Sequence, residues 1–299
     1  MTNDRSQQIA FLGLGLMGSS MSANLARKGF AVKGWNRTPS RPSVRIAKKA
    51  GVTIVSSIKK AIESADFVFT CVGDVPGVEE VILGEEGVIN HGKPGGLVVD
   101  FSTIGTDAAR HLGTQLKHQN FRFLDAPISG GDLGAQQGTL TIMVGGEITA
   151  FKACKPYFEA MGKTIIHCGL VGSGQGVKMC NQTLCAVHMV ALCEAIKMAE
   201  KQGIDPTLII EICSTGAASS WALNNLGAKI VEGDYNPGFA IKYILKDLRL
   251  VKETIKKSGD SLPGVDLAEQ LFRLVSKMDN GEGLEQGTQA MIRYYQSKH

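Results

Sequence analysis

The sequence predicts an α/β domain built on a doubly wound parallel sheet, joined by a long helix to a second domain that is all helical. Short apolar runs rich in Val, Ile, Leu and Phe alternate with helical patterns from residue 9 to residue 168, as in parallel sheets. The stretch from Gly172 to Gln202 then opens with small residues and continues as one apolar helical pattern. Only helical patterns follow it. We therefore expect a first domain at residues 1–168 and a second at residues 169–299, beginning with the long helix.

Composition restricts the class of protein. Of the 299 residues, 43% are hydrophobic and 20% are charged, as in ordinary soluble globular proteins. The net charge of +4 is spread along the chain without a basic cluster between aromatic residues, so we expect no nucleic-acid partner. No run approaches the roughly 18 consecutive apolar residues of a membrane span, so no membrane partner is expected.

The seven cysteines lie mostly in apolar runs and show no C-x-x-C spacing. We interpret them as reduced core residues, with neither a zinc site nor a disulfide framework. No cluster of His, Asp and Glu indicates another metal site. The N-terminal segment lacks the apolar core of a signal peptide, and we expect a cytoplasmic protein.

A glycine-rich turn follows the first apolar run, Ile9–Leu12, and precedes a helical pattern. Strand, turn and helix occur in the order that a dinucleotide site requires, with glycines for the tight turn, for the approach of the pyrophosphate and for helix packing. The motif alone is weak evidence, because such a turn can also serve packing. In this context it predicts cofactor contacts at Gly13, Gly15, Leu16, Met17 and Gly18.

The specificity for the cofactor is indicated at the end of the next strand, Ala31–Trp35. Asn36, Arg37 and Thr38 stand where an NAD-specific protein usually has an acidic residue for the ribose 2′-hydroxyl. Arg37 is placed to pair with a 2′-phosphate, which favours NADP over NAD. The alternative is an exposed loop arginine.

Polar or small loops follow further apolar runs. Ligands bind at the carboxyl ends of strands in open α/β sheets, so Val72 and Thr103 are candidates for the nicotinamide side, although each is also compatible with a plain loop. The supporting elements are predicted strands at Thr53–Val55, Asp66–Val72, Leu97–Asp100 and Phe121–Leu124 and a helix at Ile58–Ser64.

The turn after the strand ending at Leu124 contains Ser129, Gly130 and Gly131. Their consecutive N–H groups could cradle a carboxylate, and the same residues could form an ordinary turn. The first domain then closes with a strand at Gly138–Gly146, a helix at Glu147–Met161 and a strand at Thr164–Cys168.

Two polar residues near the start of the long helix, Lys178 and Gln182, are spaced i and i+4 and share one helical face. The lysine can supply a proton while the amide binds the same small substrate; a lysine in this position is otherwise a solvated surface charge. In the second domain, Lys246 and Asp247 place charges inside an apolar helix, where they could also form a salt-bridged solvated face. The predicted helices there are Pro206–Cys213, Trp221–Val231, Ile241–Lys257, Val265–Met278 and Glu285–Tyr295.

Four motifs together give the sequence a family resemblance. They are GLGLMGSSMSANL from Gly13, DAPISGG from Asp125, GSGQGVKMCNQ from Gly172 and KDLRL from Lys246. In this order they resemble the β-hydroxyacid dehydrogenase family, which includes 3-hydroxyisobutyrate dehydrogenases, tartronate semialdehyde reductases and, as the most similar branch, glyoxylate/succinic semialdehyde reductases.

The resemblance implies a Rossmann-type first domain and homodimers or homotetramers formed through the helical domain. It also implies roles for individual residues. Lys178 would be the catalytic lysine, Ser129 to Gly131 would hold the substrate carboxylate, and Thr103 and Lys246 would contact the cofactor. Phe239 and Asp247 would approach the substrate. Two departures stand out, since the family often has asparagine at the position of Gln182 and proline soon after Thr103.

These residues predict an NADP-dependent oxidoreductase that interconverts a small carboxylate-bearing semialdehyde or oxoacid and its hydroxyacid. Hydroxyisobutyrate or tartronate semialdehyde chemistry is one alternative, and the sequence does not rank the substrates. A sugar-phosphate enzyme of the 6-phosphogluconate dehydrogenase type would usually have a longer helical half. A non-catalytic NADP-binding sensor or scaffold would need only the first glycine motif.

Overall fold

Residues 7–256 and 258–297 are described by the structure, a computed structural model. The chain divides into two compact units, and the division falls between Lys178 and Met179, inside one continuous helix. The predicted domain boundary, between residues 168 and 169, lies just before that helix.

The first unit alternates strands and helices, as the apolar runs predict. Its strands are β1 (Gln8–Leu12), β2 (Ala31–Trp35), β3 (Thr53–Ile54), β4 (Phe67–Thr70), β5 (Leu97–Asp100), β6 (Arg122–Asp125), β7 (Ile128–Ser129), β8 (Leu140–Gly146) and β9 (Gly162–Gly169). Its helices are α1 (Leu16–Arg27), α2 (Pro42–Lys49), α3 (Ile58–Ile62), α4 (Val75–Leu83), α5 (Val88–His91), α6 (Gly105–His118), α7 (Gly131–Gln137) and α8 (Ile148–Met161).

One sheet holds all nine strands in the order β3-β2-β1-β4-β5-β6-β8-β7, with β9 paired to β8. The strands from β3 to β6 pair in parallel, whereas β8 is antiparallel to β6 and β7. The chain leaves β1 toward β2 and β3 on one side and returns to β4 on the other. This topological switch point, where ligands bind in such sheets, confirms the predicted doubly wound fold.

Burial on both faces explains why the strands are continuous apolar runs. Along β1, Ile9 and Phe11 belong to one buried cluster, while Ala10 and Leu12 belong to another. The alternation follows from the two-residue period of a strand, which sends successive side chains to opposite faces. Helices therefore cover both faces, and the loops at the carboxyl ends of the strands are left to form a site.

The predicted elements differ from the observed ones mainly at their ends. The strand predicted at Asp66–Val72 is Phe67–Thr70, and four helices of the first unit, α4 to α7, were not predicted. The pattern did not reveal α6 because its N-cap residue, Ile104, has no side-chain hydrogen bond to the helix.

A 29-residue helix, α9 (Ser173–Lys201), confirms the long helix that was predicted to join the two domains. Among the described helices it is the one that is long and apolar enough to span a membrane by length and composition, a test that core helices of soluble proteins also pass. Cys180 and Cys185 on this helix are exposed, so the interpretation of the cysteines as core residues is wrong for these two. An apolar run does not tell which faces of a helix are covered.

The second unit continues with helices only. They are α10 (Pro206–Thr215), α11 (Trp221–Glu232), α12 (Ile241–Lys256), α13 (Pro263–Ser276) and α14 (Ile292–Gln296), with 3₁₀ helices at Asp279–Glu285 and Thr288–Met291. Lys257, predicted to end α12, lies outside the described residues.

The single helix predicted over Glu285–Tyr295 is wrong. Gly287 donates its N–H to the carbonyl of Tyr235 (2.9 Å), and the buried Gln289 amide donates to the carbonyls of Asp234 and Asn236 (both 3.0 Å). These tertiary hydrogen bonds hold the backbone in short 3₁₀ turns.

Candidate active site

In the glycine turn between β1 and α1, two of the three glycines are required by packing and the third is not. A Cβ atom at Gly13, which has a φ of +100°, would overlap the carbonyl oxygen of Cys71, and one at Gly18 would overlap the carbonyl oxygen of Gly13. A Cβ atom at Gly15 would meet nothing within 4 Å. The space above Gly15 is therefore open to a ligand, as the close approach of a pyrophosphate requires.

The Asn36 side chain shapes this turn. Its Oδ1 accepts the N–H of Leu14 (2.9 Å), and its Nδ2 donates to the carbonyl of Thr38 (2.8 Å). The hydroxyls of Ser19 and Ser43 donate to the Leu14 carbonyl, both at 2.8 Å. Asn36 thus holds the glycine turn and the loop after β2 in one arrangement.

Arg37 projects from that loop with a side chain that is 78% exposed. Its guanidinium lies 3.7 Å from the carboxylate of Glu80, which is 64% exposed. An exposed ion pair of this kind contributes about 0 to 1 kcal/mol. Turning the guanidinium toward a phosphate would therefore cost little.

A buried carboxyl joins the loops after β4 and β5. Asp100 Oδ1 accepts the hydroxyls of Thr70 (2.7 Å) and Ser102 (2.6 Å), and Ser102 Oγ accepts the N–H of Val72 (2.9 Å). Burial raises the pKa of Asp100 to about 6, with the Asp125 charge adding a little. Its Oδ2 has no hydrogen-bond partner among the described residues. Val72 and the loop carrying Thr103 are thereby fixed to each other.

Helix α9 begins on the end of β6. Asp125 Oδ1 accepts the N–H of Gly172 (2.7 Å), and Oδ2 accepts the N–H of Gln175 (2.9 Å). Burial raises the pKa of Asp125, while these N–H groups oppose the rise. A Cβ atom at Gly174 would overlap the carbonyl oxygen of Met143 in β8, so the helix start lies against the sheet backbone. Lys178, one turn later and 6% exposed, is held by this anchorage.

The Ser129–Gly131 segment forms a sharp turn between β7 and α7. Gly130 has a φ of +129° and Gly131 a φ of +62°, in the region that favours glycine. The first N–H groups of a helix lack partners within it, and Gly131 is the first residue of α7. The turn can therefore offer N–H donors to a carboxylate.

In the second unit, Gln182, Lys246 and Asp247 form one polar cluster. Gln182 Nε2 donates to Asp247 Oδ2 (2.5 Å), and Gln182 Oε1 accepts from the Asn181 amide (2.7 Å). Lys246 Nζ forms an ion pair with Asp247 Oδ1 at 2.8 Å. Phe239 stacks on Tyr243, with ring centroids 6.1 Å apart. The side chains of Lys246 and Asp247 are only 14% and 3% exposed. They therefore do not form the solvated face that the sequence also allowed.

The structure brings most predicted cofactor residues to one edge of the first unit, where β1, β2, β4 and β5 end. Sequence reasoning missed three buried residues that support this edge, namely Asp100, Asp125 and Gln175. DAPISGG and GSGQGVKMCNQ contain two of them, but nothing in those motifs distinguishes a supporting side chain from a core one. The roles predicted for individual site residues stay predictions.

Two family models match this chain one after the other. Residues 8–169 match the family model described as the NAD binding domain of 6-phosphogluconate dehydrogenase, and residues 172–295 match the one described as NAD-binding of NADP-dependent 3-hydroxyisobutyrate dehydrogenase.

Full-length relatives and solved structures match as well. An uncharacterized oxidoreductase of Synechocystis sp. is 52% identical over 96% of this chain and 98% of its own length. The NAD-dependent L-serine dehydrogenase of Pseudomonas aeruginosa is 36% identical over 92% and 94%. The structure of Mycobacterium tuberculosis 3-hydroxyisobutyrate dehydrogenase with L-serine superposes with a TM-score of 0.88, at 30% identity over 97% and 99%.

The doubly wound sheet, the open glycine turn and these matches define an oxidoreductase that binds a nicotinamide dinucleotide. The chain belongs to the β-hydroxyacid dehydrogenase family. The resemblance drawn from the four motifs is thereby confirmed at the level of the family.

Proposed function

We propose that the chain is an NADP-dependent reductase of a small carboxylate-bearing semialdehyde or oxoacid, with Lys178 as general acid and base. One observation carries the proposal. The buried lysine stands at the start of α9, which Asp125 ties to the end of β6, the strand beside β5, whose following loop carries Thr103. A sensor or scaffold that only binds the cofactor would not require a buried lysine at this position.

The chemistry assigned to the chain is orientation and charge stabilisation. Bound NADPH supplies the hydride, and negative charge then develops on the carbonyl oxygen of the substrate. The Lys178 ammonium stabilises that charge and delivers the proton. Ser129 and the N–H groups of Gly130 and Gly131 hold the carboxylate, which limits the orientations open to the carbonyl group.

The test of this function is a substrate panel followed by the absorbance of the reduced cofactor. NADPH and NADH are each supplied with glyoxylate, succinic semialdehyde, tartronate semialdehyde and methylmalonate semialdehyde, with pyruvate as a control. Oxidation of L-serine, named for the Pseudomonas aeruginosa relative, is followed in the reverse direction. Rapid NADPH-linked reduction of one or two aldehydes supports the proposal. Tight NADPH binding with no turnover of any compound would contradict it and favour the sensor.

The preference for NADP rests on Arg37, so Arg37→Asp should weaken NADPH binding far more than NADH binding. A guanidinium recognises a phosphate through charge-assisted hydrogen bonds, and we take their total contribution at this exposed residue to be that of one such bond, about 1.5 to 3 kcal/mol. We expect the NADPH dissociation constant to rise by about 10- to 100-fold and the NADH constant by less than about threefold. Titration of cofactor fluorescence measures both.

Arg45→Asp is the matched control, because Arg45 is an exposed residue of α2 and the change in net charge is the same. It should leave the ratio of the two dissociation constants unchanged. If Arg37→Asp weakens NADH and NADPH equally, Arg37 is only a loop charge.

We also propose that the chain works as a cytoplasmic homodimer or homotetramer without nucleic-acid or membrane partners. All seven cysteines lie within the described residues and none forms a disulfide, which suits a reducing compartment. Large apolar side chains are exposed on α9 and α11, among them Met198 (64%) and Trp221 (60%), and exposed apolar side chains suit a subunit interface. A stable monomer in sedimentation velocity would contradict this assembly.

A further inference from the structure

The side chain of Gln175 makes three hydrogen bonds to a loop that lies some 70 residues earlier in the chain. Its Oε1 accepts the N–H groups of Ile104 and Gly105, both at 3.1 Å, and its Nε2 donates to the carbonyl of Ser102 at 2.8 Å. The residue is fully buried. A polar side chain at the start of α9 thus closes the loop that carries Thr103.

This contact also replaces a missing helix cap. Helix α6 begins at Gly105, and its N-cap residue, Ile104, has no side-chain oxygen to accept the first N–H groups. Such groups need an acceptor when they are buried. Gln175 supplies that acceptor from another helix, so the start of α6 depends on α9.

The same loop is bonded on its other side to the end of β4. Ser102 donates to Asp100 and accepts the N–H of Val72. A continuous chain of hydrogen bonds therefore runs from Val72 through Ser102 to Gln175. The two residues expected on the nicotinamide side, Val72 and Thr103, are both connected to it.

Gln175 is fixed on the helix side as well. Its N–H donates to Asp125 Oδ2 at 2.9 Å, and Lys178 follows it by three residues, less than one turn of the helix. Backbone and side chain of one residue thus join the lysine-bearing turn of α9 to the loop after β5. A rotation of this helix turn would therefore move the loop as well.

We propose that Gln175 is a positioning residue that holds the nicotinamide-side loop, residues 102–105, in fixed register with Lys178. It touches neither substrate nor cofactor in this role, and it acts through the loop and the helix turn. The inference rests on the proposed function, because it takes Lys178 as the proton donor and the loop as the support of the nicotinamide.

Two substitutions test it. Gln175→Met keeps the volume and removes all three side-chain hydrogen bonds. Gln175→Glu keeps an acceptor for Ile104 and Gly105 but sets a second oxygen against the Ser102 carbonyl. Gln202→Met is the matched control, because Gln202 is exposed just past the opposite end of the same helix. If Gln175→Met does not fold, the isosteric Gln175→Glu carries the test.

The first readout is the deuterium isotope effect on kcat with NADPH labelled at the transferred position. Displacement of the loop relative to Lys178 slows hydride transfer, so kcat per folded enzyme should fall by about tenfold and the isotope effect should rise. A purely structural role would lower the fraction of folded enzyme or its melting temperature and leave the isotope effect as in the wild type. An unchanged kcat and isotope effect in both variants would overturn the proposal.

The second readout needs no turnover. We expect Gln175→Met to weaken NADPH binding by about fivefold, the effect of about one net hydrogen bond, and to leave binding of 2′-phospho-ADP-ribose, which lacks the nicotinamide, within about twofold. Equal weakening of both ligands, or of neither, would contradict the positioning role. If the wild-type protein reduces no aldehyde, the proposed function fails while this comparison still decides the role of Gln175.

Discussion

Replacing Lys178 with alanine or methionine should lower kcat by about 10²- to 10⁴-fold, the contribution of a positioned acid and a charge-stabilising group. Lys178 is 6% exposed and follows the anchored start of α9, so the backbone that carries it is fixed before substrate binds. In the proposed mechanism, the charge on the reduced carbonyl oxygen then lacks the cation and the proton donor that Lys178 supplies. Steady-state kinetics with the best aldehyde of the panel measure the loss.

Two controls separate this effect from loss of structure or of cofactor. Lys178→Met keeps the unbranched side chain and avoids the cavity that alanine leaves in a buried site. The dissociation constant of NADPH should stay within about threefold of the wild type in both variants. A variant that keeps kcat within a few-fold of the wild type would remove Lys178 from the mechanism and with it the main support for a reductase.

The sequence was sufficient for those parts of the fold that local chemistry specifies. The strand Ala31–Trp35 and the glycine turn after β1 follow from apolar period and glycine spacing, and the observed strand has the predicted bounds. Gly13 and Gly18 are required because neighbouring backbone atoms leave no space for a Cβ atom. Such constraints act over a few residues, and a pattern can reveal them.

Helix α6 could not be recognised because its cap is supplied from a distant part of the chain. Its N-cap residue, Ile104, has no side-chain acceptor, and the acceptor comes from Gln175, which is 70 residues away from Gly105. No periodicity in the sequence indicates such a pair. The last predicted helix failed for the same reason, since the Gln289 amide bonds to a loop more than 50 residues earlier.

The residues of the candidate site likewise divide into those that a local motif reveals and those that it does not. Lys178, Ser129 and the glycine turn lie within recognisable motifs, so they could be proposed from the sequence. The buried polar network of Thr70, Asp100 and Ser102 carries none, because each is a small polar residue at the end of a strand or in a loop. Its members are identified only when the strand ends are seen side by side in the sheet.

That network leads to the second prediction, that Asp100→Asn makes the protein more stable than the wild type at neutral pH. The Asp100 carboxyl is fully buried, its pKa is raised from 3.8 to about 6, and its Oδ2 has no partner among the described residues. An asparagine Oδ1 can still accept the hydroxyls of Thr70 and Ser102. The variant thus keeps the network without the cost of a buried negative charge, and we expect this gain to exceed the cost of about 1 to 3 kcal/mol for the amide N–H groups that take the unpartnered position of Oδ2.

The pH dependence of this difference has a definite sign. Because the folded-state pKa of Asp100 lies above its unfolded value, the folded protein binds the proton more tightly, and wild-type stability falls as pH rises from about 4 to about 6. Above that window the full cost remains, about 3 kcal/mol for a pKa raised from 3.8 to about 6. Between pH 4.5 and 7.5, the free energy of unfolding of the wild type should fall by about 2 kcal/mol relative to Asp100→Asn.

Urea unfolding of both proteins at several pH values measures this difference. Groups distant from Asp100 titrate equally in both and cancel from it. Asp260→Asn, at an exposed carboxyl in the loop before α13, shows how much the loss of one negative charge contributes by itself. If the difference between wild type and Asp100→Asn does not change with pH, the charge of Asp100 does not destabilise the folded protein. The loops after β4 and β5 would then be held by an ionised carboxylate at every pH in the range.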